Sequence, residues 1–163
     1  MRIYWINDLI RGCIGMMPRP RGNDWLPTEV LYLKESEVDC VVSLLELHEI
    51  DELELRLEQD LCEKNGIDFI SFPIVDCEVP KSIIEFNALI KRLVLEVENG
   101  RKIVVHCRMG IGRTSTVVAA LLIRLGLKES NVFEYLSTIR TLEVPDTQQQ
   151  KDWVLSNCLN SNT

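Results

Sequence analysis

The hydrophobic positions of this chain change their period several times, and each change marks an element. Residues 3–6 and 14–17 are short apolar runs that predict two strands, with Asn7-Asp8 as the turn between them. Residues 18–22 read as a loop and 27–36 as a short helix. Residues 41–45 predict a buried strand. Leu47, Ile50, Leu53, Leu57 and Leu61 then recur at helical spacing and predict one helix, stopped by Gly66. Its other face places Glu46, Glu49, Glu52, Glu54, Glu58, Asp60 and Glu63 in solvent. Residues 67–72 predict a further strand, and 73–80 a loop bracketed by prolines. Ser82 and Glu85 have capping-box spacing. They open a helix with Ile83, Phe86, Ile90, Leu93, Val94 and Val97 inside, ended by Asn99-Gly100. Residues 102–105 are a β-branched strand, and 115–124 a buried helix. Two more helices follow near 129–142 and 147–157, with a frayed tail over 159–163.

Strands alternating with helices predict an α/β fold: a central, mainly parallel sheet flanked by helices on both sides. Ligands of such sheets sit beyond the carboxyl ends of the strands. The length, 163 residues without repeat or linker, predicts a single domain over 1–163.

Composition narrows the function. A net charge of −7 argues against nucleic-acid binding by the surface as a whole. Six cysteines, at 13, 40, 62, 77, 107 and 158, lie far apart with no CxxC pair, which predicts reduced thiols and a cytoplasmic location. Two histidines, His48 and His106, exclude a histidine-rich metal centre. Asn7, Asp8 and Arg11 interrupt the first apolar run too early for a signal peptide. The longest apolar run, residues 117–123, is too short to span a bilayer.

The chemistry gathers at His106-Cys107-Arg108-Met109-Gly110-Ile111-Gly112-Arg113-Thr114, between the strand and the buried helix. Strand, glycine-bearing loop and helix in that order make an anion cradle, because the loop N–H groups and the positive helix end face one spot. Gly110 and Gly112 permit the concave backbone. A cysteine at the start of the loop and an arginine at its end then meet one oxyanion. A thiolate is favoured at helix N-termini and beside cations, and a guanidinium fork suits two phosphoryl oxygens.

This Cys-x5-Arg-Thr pattern with a preceding His resembles the signature of the protein tyrosine phosphatase superfamily, and the chain is similar to small atypical dual-specificity phosphatases over roughly residues 3–156. The resemblance implies a metal-independent, cofactor-free phosphatase. It makes Cys107 the nucleophile that forms a phosphocysteine, with residues 108–113 (Arg108, Met109, Gly110, Ile111, Gly112 and Arg113) binding phosphate. Thr114 helps sulfur depart or caps the helix. His106 supports the loop. Asp76, four residues before Pro80, matches the family's general acid, although Val75 stands where many relatives have proline; Glu78 is the rival carboxylate. Gln150, three before Trp153, matches a glutamine that orients water, and Asp146 opens the same helix or caps it.

Around the site, Arg11, Arg19 and Arg21 form a local positive excess that frames the entrance. Cys77 follows Asp76 and is a candidate redox partner of Cys107. Apolar Met109 and Ile111 favour a phosphorylated protein or peptide as partner, with no nucleic acid and no membrane, and a monomer. Phosphoinositide or RNA 5′-phosphate is the alternative substrate. A phosphoprotein-binding module is the non-enzymatic alternative, against which stand the retained Cys, Arg and Asp. A sulfurtransferase or arsenate reductase has no use for the Asp76 loop.

Overall fold

The computed structural model describes residues 2–6 and 11–158. The expected turn at Asn7-Asp8 and the tail at 159–163 lie outside the described residues. The strands are β1 (Tyr4–Ile6), β2 (Cys13–Pro18), β3 (Cys40–Ser43), β4 (Asp68–Ser71) and β5 (Lys102–Cys107). They form one sheet in the order β1-β2-β5-β3-β4, with β1 antiparallel to β2 and the other pairs parallel. The helices are α1 (Leu26–Glu35), α2 (Leu47–Glu52), α3 (Glu58–Lys64), α4 (Ile83–Glu98), α5 (Gly112–Arg124), α6 (Val132–Arg140) and α7 (Gln148–Cys158). No helix among the described residues is long and apolar enough to cross a membrane.

β5 is central, so both of its faces are covered and every residue from Ile103 to Cys107 is buried. Successive side chains of a strand alternate between faces. Ile103, Val105 and Cys107 point into the core built with α4, α5, α6 and α7. Val104 points into the other core, built with Leu26, Val30 and Leu33 of α1 and Cys62 of α3. Each fully buried aliphatic side chain adds roughly 1.5–3 kcal/mol. The alternation therefore fixes the register that delivers Cys107 to one face and His106 to the other.

The acidic helix expected over residues 47–61 is two helices. α2 stops after Glu52: Glu54 takes a left-handed conformation (φ 57°), its N–H donates to Asp51 O, and the Leu55 N–H donates to Ile50 O at 2.9 Å. This is a Schellman stop, with Ile50 and Leu55 as its apolar pair. The break turns α3 relative to α2, and the expected faces hold only in part. Ile50, Leu53 and Leu61 pack against the core, but Leu47 and Leu57 are 73% and 60% exposed, while Glu49 and Glu58 are only 2% exposed. In α4, Phe86, Ile90, Leu93 and Val97 are buried as expected, joined by Leu89, but Ile83 is exposed and Val94 half-buried. Ser82 caps α4 by accepting from the Glu85 N–H.

Candidate active site

The loop from Cys107 to Gly112 leaves the carboxyl end of β5 and enters α5, whose first residue is Gly112. Its carbonyls face outward. Arg108 O accepts from the Arg19 N–H, Met109 O and Gly110 O from Arg140 Nη2 and Nε (3.2 and 3.0 Å), and Ile111 O from the Ser115 N–H. Among the described residues, none of the N–H groups from Arg108 to Ile111 meets a protein acceptor. With the carbonyls held outside, those N–H groups line the inside of the turn, at the positive end of α5. Gly110 sits at φ 67°, and a Cβ there would collide with Met17 O on β2, so both conformation and space demand glycine.

Arg140 was not marked by the sequence, where it reads as an ordinary basic residue in the last turn of α6. In the structure it is buried, holds two loop carbonyls, and its guanidinium lies 3.9 Å from the centre of the Tyr4 ring on the edge strand.

Arg113 lies in the first turn of α5 and is 1% exposed. Its two terminal nitrogens form a fork on Glu49, with Nη1 to Oε2 at 2.6 Å and Nη2 to Oε1 at 2.9 Å. Nη1 also donates to Ile74 O at 3.0 Å, and Nη2 lies 2.9 Å from Asp76 Oδ1. One guanidinium thus ties the loop, the start of α2 and the acid loop together. Nε is buried and has no protein partner, as do Thr114 Oγ1 and Ser115 Oγ. Thr114 does not cap α5, since Ile111 is the N-cap residue and no side chain caps that end.

Glu49 is buried because it is the third residue of α2, where its carboxylate turns back to accept the Glu46 N–H (3.0 Å) and inward to Arg113. Burial pushes this carboxyl up, but the hydrogen bonds from Arg113 and Glu46 and the charges of Arg113 and Arg108 outweigh it, so its pKa lies below the ordinary value. A depressed carboxyl contributes stability that is complete above its unfolded pKa, about 4.3, and is lost as pH falls through its folded value. Glu49→Gln leaves a buried guanidinium without its counter-charge. We expect a loss of about 3 kcal/mol, the low end for breaking a buried pair, since the amide oxygen still accepts one bond. Denaturant titration at neutral pH measures the loss, and a parallel series below pH 4 should show a flatter acid limb than in the native protein.

His106 faces away from the cradle. Its Nδ1 is 3.4 Å from Cys107 O, and its Nε2 is 3.0 Å from Glu58 Oε1 of α3, an ion-pair distance without hydrogen-bond alignment. Glu58, expected in solvent, therefore backs the histidine from the opposite layer. Burial pushes the Cys40 and Cys62 thiols up to about 12, which makes both of them structural. Cys77 is exposed, with φ 61°; burial and the carboxylates of Asp76 and Asp146 push its thiol up, which disfavours the thiolate a redox partner needs.

The expected positive entrance is neutralised only in part. Arg21 Nη2 is 2.7 Å from Glu29 Oε1 and Arg108 Nη2 is 2.7 Å from Glu52 Oε2, whereas Arg19 turns its Nη1 to the uncharged Pro20 O. Arg11 is exposed. Arg108 points outward as expected, and Met109 is 61% exposed beside it.

α7 closes the site from the far side. Thr147 Oγ1 accepts from the Gln150 N–H (3.2 Å), and Gln150 Oε1 accepts from the Thr147 N–H (3.3 Å), so these two residues form the cap of α7. Gln150 is buried and its Nε2 donates to Glu78 O at 3.2 Å, clasping the acid loop to the helix. Asp146 is not the cap.

A family model described as Tc-R-P, "Polymorphic toxin system, DSP-PTPase phosphatase", matches residues 14–127. Over 62 residues the chain is 39% identical to protein 197R of Invertebrate iridescent virus 6, a match covering 36% of this chain and 23% of that protein. The chain spans less than a quarter of the length of the curated relatives it matches. Among solved structures, the kinase associated phosphatase superposes with a TM-score of 0.85 at 20% identity, covering 94% of this chain and 92% of the other. Tk-PTP in its active form superposes with a TM-score of 0.74 at 27% identity, covering 96% and 95%. The family match runs from β2 through α5 and so includes the whole Cys107 loop, and on that ground this chain belongs to the DSP-PTPase phosphatase family, within the protein tyrosine phosphatase superfamily.

Proposed function

We propose that this protein is a metal-independent phosphatase that hydrolyses phosphotyrosine in proteins through a phosphocysteine, with phosphoserine and phosphothreonine as further substrates to test. The observation that carries the proposal is the outward turn of the loop carbonyls, which leaves a ring of N–H groups and the unpaired Arg113 Nε for one phosphoryl group. In the first step Cys107 Sγ attacks phosphorus in line, and Asp76 gives a proton to the departing oxygen. Arg113 and the loop N–H groups hold the charge spread over the equatorial oxygens. In the second step water attacks the phosphocysteine and sulfur leaves as thiolate, helped by the Thr114 hydroxyl. Gln150 holds the Asp loop in place. His106 keeps the loop backbone aligned from behind.

A protein substrate is favoured over a phosphoinositide or an RNA 5′-phosphate because the loop's own cation, Arg108, is engaged by Glu52, and the exposed flank is Met109. The free thiols among the described residues fit a cytoplasmic enzyme. Hydrolysis of p-nitrophenyl phosphate in the presence of EDTA tests the chemistry. A panel of phosphotyrosine, phosphoserine and phosphothreonine peptides beside phosphoinositides and 5′-phosphorylated RNA tests the substrate. Turnover that needs added metal, or faster turnover of the lipid or the RNA, overturns the corresponding part.

A further inference from the structure

We infer that the cleft between the turn Asn23–Trp25 and the α2–α3 junction docks a segment of the substrate protein, and that this segment carries an aliphatic side chain beside a lysine or arginine. The inference rests on the phosphatase function proposed above and adds to it the kind of sequence a substrate carries.

The cleft holds about 600 Å³, within the range of ordinary binding clefts. Leu26, Pro27, Leu57 and Leu61 form its apolar surface. Leu57 is 60% exposed, so an incoming side chain meets an open apolar wall. Backbone contacts hold the two sides together. The Asn23 N–H donates to Glu54 O at 3.1 Å, and a Cβ on Gly22 would collide with Leu53 O and Glu54 O. Asn23 (φ 52°) and Glu54 (φ 57°) are both left-handed, a conformation that a residue with a side chain keeps only where its surroundings fix it. A cleft already formed loses little freedom when it is filled.

Charge selects what fills it. The rim carries Asp24, Asp51 and Glu54 against one cation, Arg56, and Asp51 takes that cation at 2.5 Å. Among the described residues no cation pairs with Asp24 or Glu54. Arg21, on the same segment as Asp24, is held by Glu29 and stacked 4.3 Å from the centre of the Trp25 ring. Two unbalanced carboxylates over an apolar surface favour an aliphatic side chain with a cation next to it, and they repel an acidic segment.

Position ties the cleft to the reaction. The Arg19 N–H donates to Arg108 O on the outside of the Cys107 loop. The four residues from there to Asn23 span at most about 14 Å. From the other side, Glu52 holds Arg108 and is the chain neighbour of Asp51 on the rim. The cleft therefore lies on the Arg108 side of the mouth. An extended peptide covers that distance, about 13–22 Å, in four to six residues.

Phosphotyrosine peptides test this. Each carries Leu-Arg-Leu, Ser-Gly-Ser or Leu-Glu-Leu four to six residues out on both sides of the phosphotyrosine. In the native enzyme, kcat/KM for the Leu-Arg-Leu peptide should exceed that for Ser-Gly-Ser by about tenfold, within what one buried aliphatic side chain supplies. The Leu-Glu-Leu peptide should gain nothing. Leu57→Ser should bring the advantage to within about twofold and leave kcat and KM for p-nitrophenyl phosphate unchanged. Asp24→Lys combined with Glu54→Lys should pass the preference to the Leu-Glu-Leu peptide, a reversal that loosened packing does not produce.

Equal kcat/KM for three peptides that are all hydrolysed overturns the inference and leaves the phosphatase function standing. So does a native preference in the double variant, or a Leu57→Ser that slows p-nitrophenyl phosphate as much as the peptides. A native dimer in light scattering that Leu57→Ser splits gives the cleft to a second copy of the chain instead. If the native enzyme hydrolyses p-nitrophenyl phosphate but no phosphotyrosine peptide, the protein-substrate part of the proposed function fails and the docking segment goes with it.

Discussion

Cys107→Ser is expected to lower turnover of p-nitrophenyl phosphate by roughly 10⁴–10⁶-fold, the range for removing a covalent nucleophile from an otherwise intact site. Binding of phosphate should survive. The groups that hold the anion are the loop N–H groups and Arg113, and neither depends on the sulfur. Exchanging sulfur for oxygen removes little volume from this buried side chain. The measurement pairs steady-state kinetics with calorimetric titration of phosphate into the variant. Vanadate, whose oxygens mimic the transferring group, should inhibit the native enzyme and still bind the serine form. Hydrolysis by pure Cys107→Ser at anything near the native rate would remove the phosphocysteine from the mechanism.

Asp76→Asn should produce the second large effect, and one that depends on the substrate. General acid catalysis is typically worth about 10²–10⁴-fold. A good leaving group departs as an anion and needs little of it, whereas a poor one needs all of it. The plot of log kcat/KM against leaving-group pKa should therefore steepen in the variant, with the loss reaching about 10⁴-fold for alkyl-like leaving groups. The structure adds a second consequence. Asp76 is also a partner of Arg113 Nη2, so the neutral amide loosens the acid loop, while Ile74 O still holds it to Nη1. An unchanged slope would move the acid role to Glu78 on the same loop.

Residues 102–113 were legible in the sequence because each local signal agreed: a β-branched run, two glycines and a small-residue helix start. The parallel sheet and the boundaries of α1, α4 and α7 followed from periodicity within a residue or two. The α2–α3 break did not, for an identifiable reason. The stop of α3 uses Gly66 at φ 75°, which the sequence advertises, whereas the stop of α2 uses Glu54 at φ 57°, a residue type that carries no such mark. That missed left-handed residue hid the turn that brings Glu58 inward, while Glu49, ahead of it, is drawn in by its own place in the first turn of α2. Glu49 and Glu58 look like their solvated neighbours until the loop arginine and histidine arrive from distant parts of the chain. Arg140 was hidden in the same way, since its partners are backbone carbonyls and carry no side-chain signature.

The pairing of Arg21 with Glu29 and of Arg108 with Glu52 has a consequence for how a substrate arrives. On a chain of net charge −7, these two pairings weaken the cationic patch at the entrance, and a phosphate dianion approaches against the net field. Added salt should then speed capture rather than slow it, as the screening length contracts from about 30 Å at 0.01 M to about 8 Å at 0.15 M. A kcat/KM for p-nitrophenyl phosphate that rises with sodium chloride over that range would show it, and a fall would point to a cation at the mouth that these pairs do not quench. For the phosphatase proposed above, long-range attraction then contributes little to capture. The enzyme discriminates only once the phosphoryl group is seated, so before that contact the local abundance of a target counts for more than the charge of its flanks.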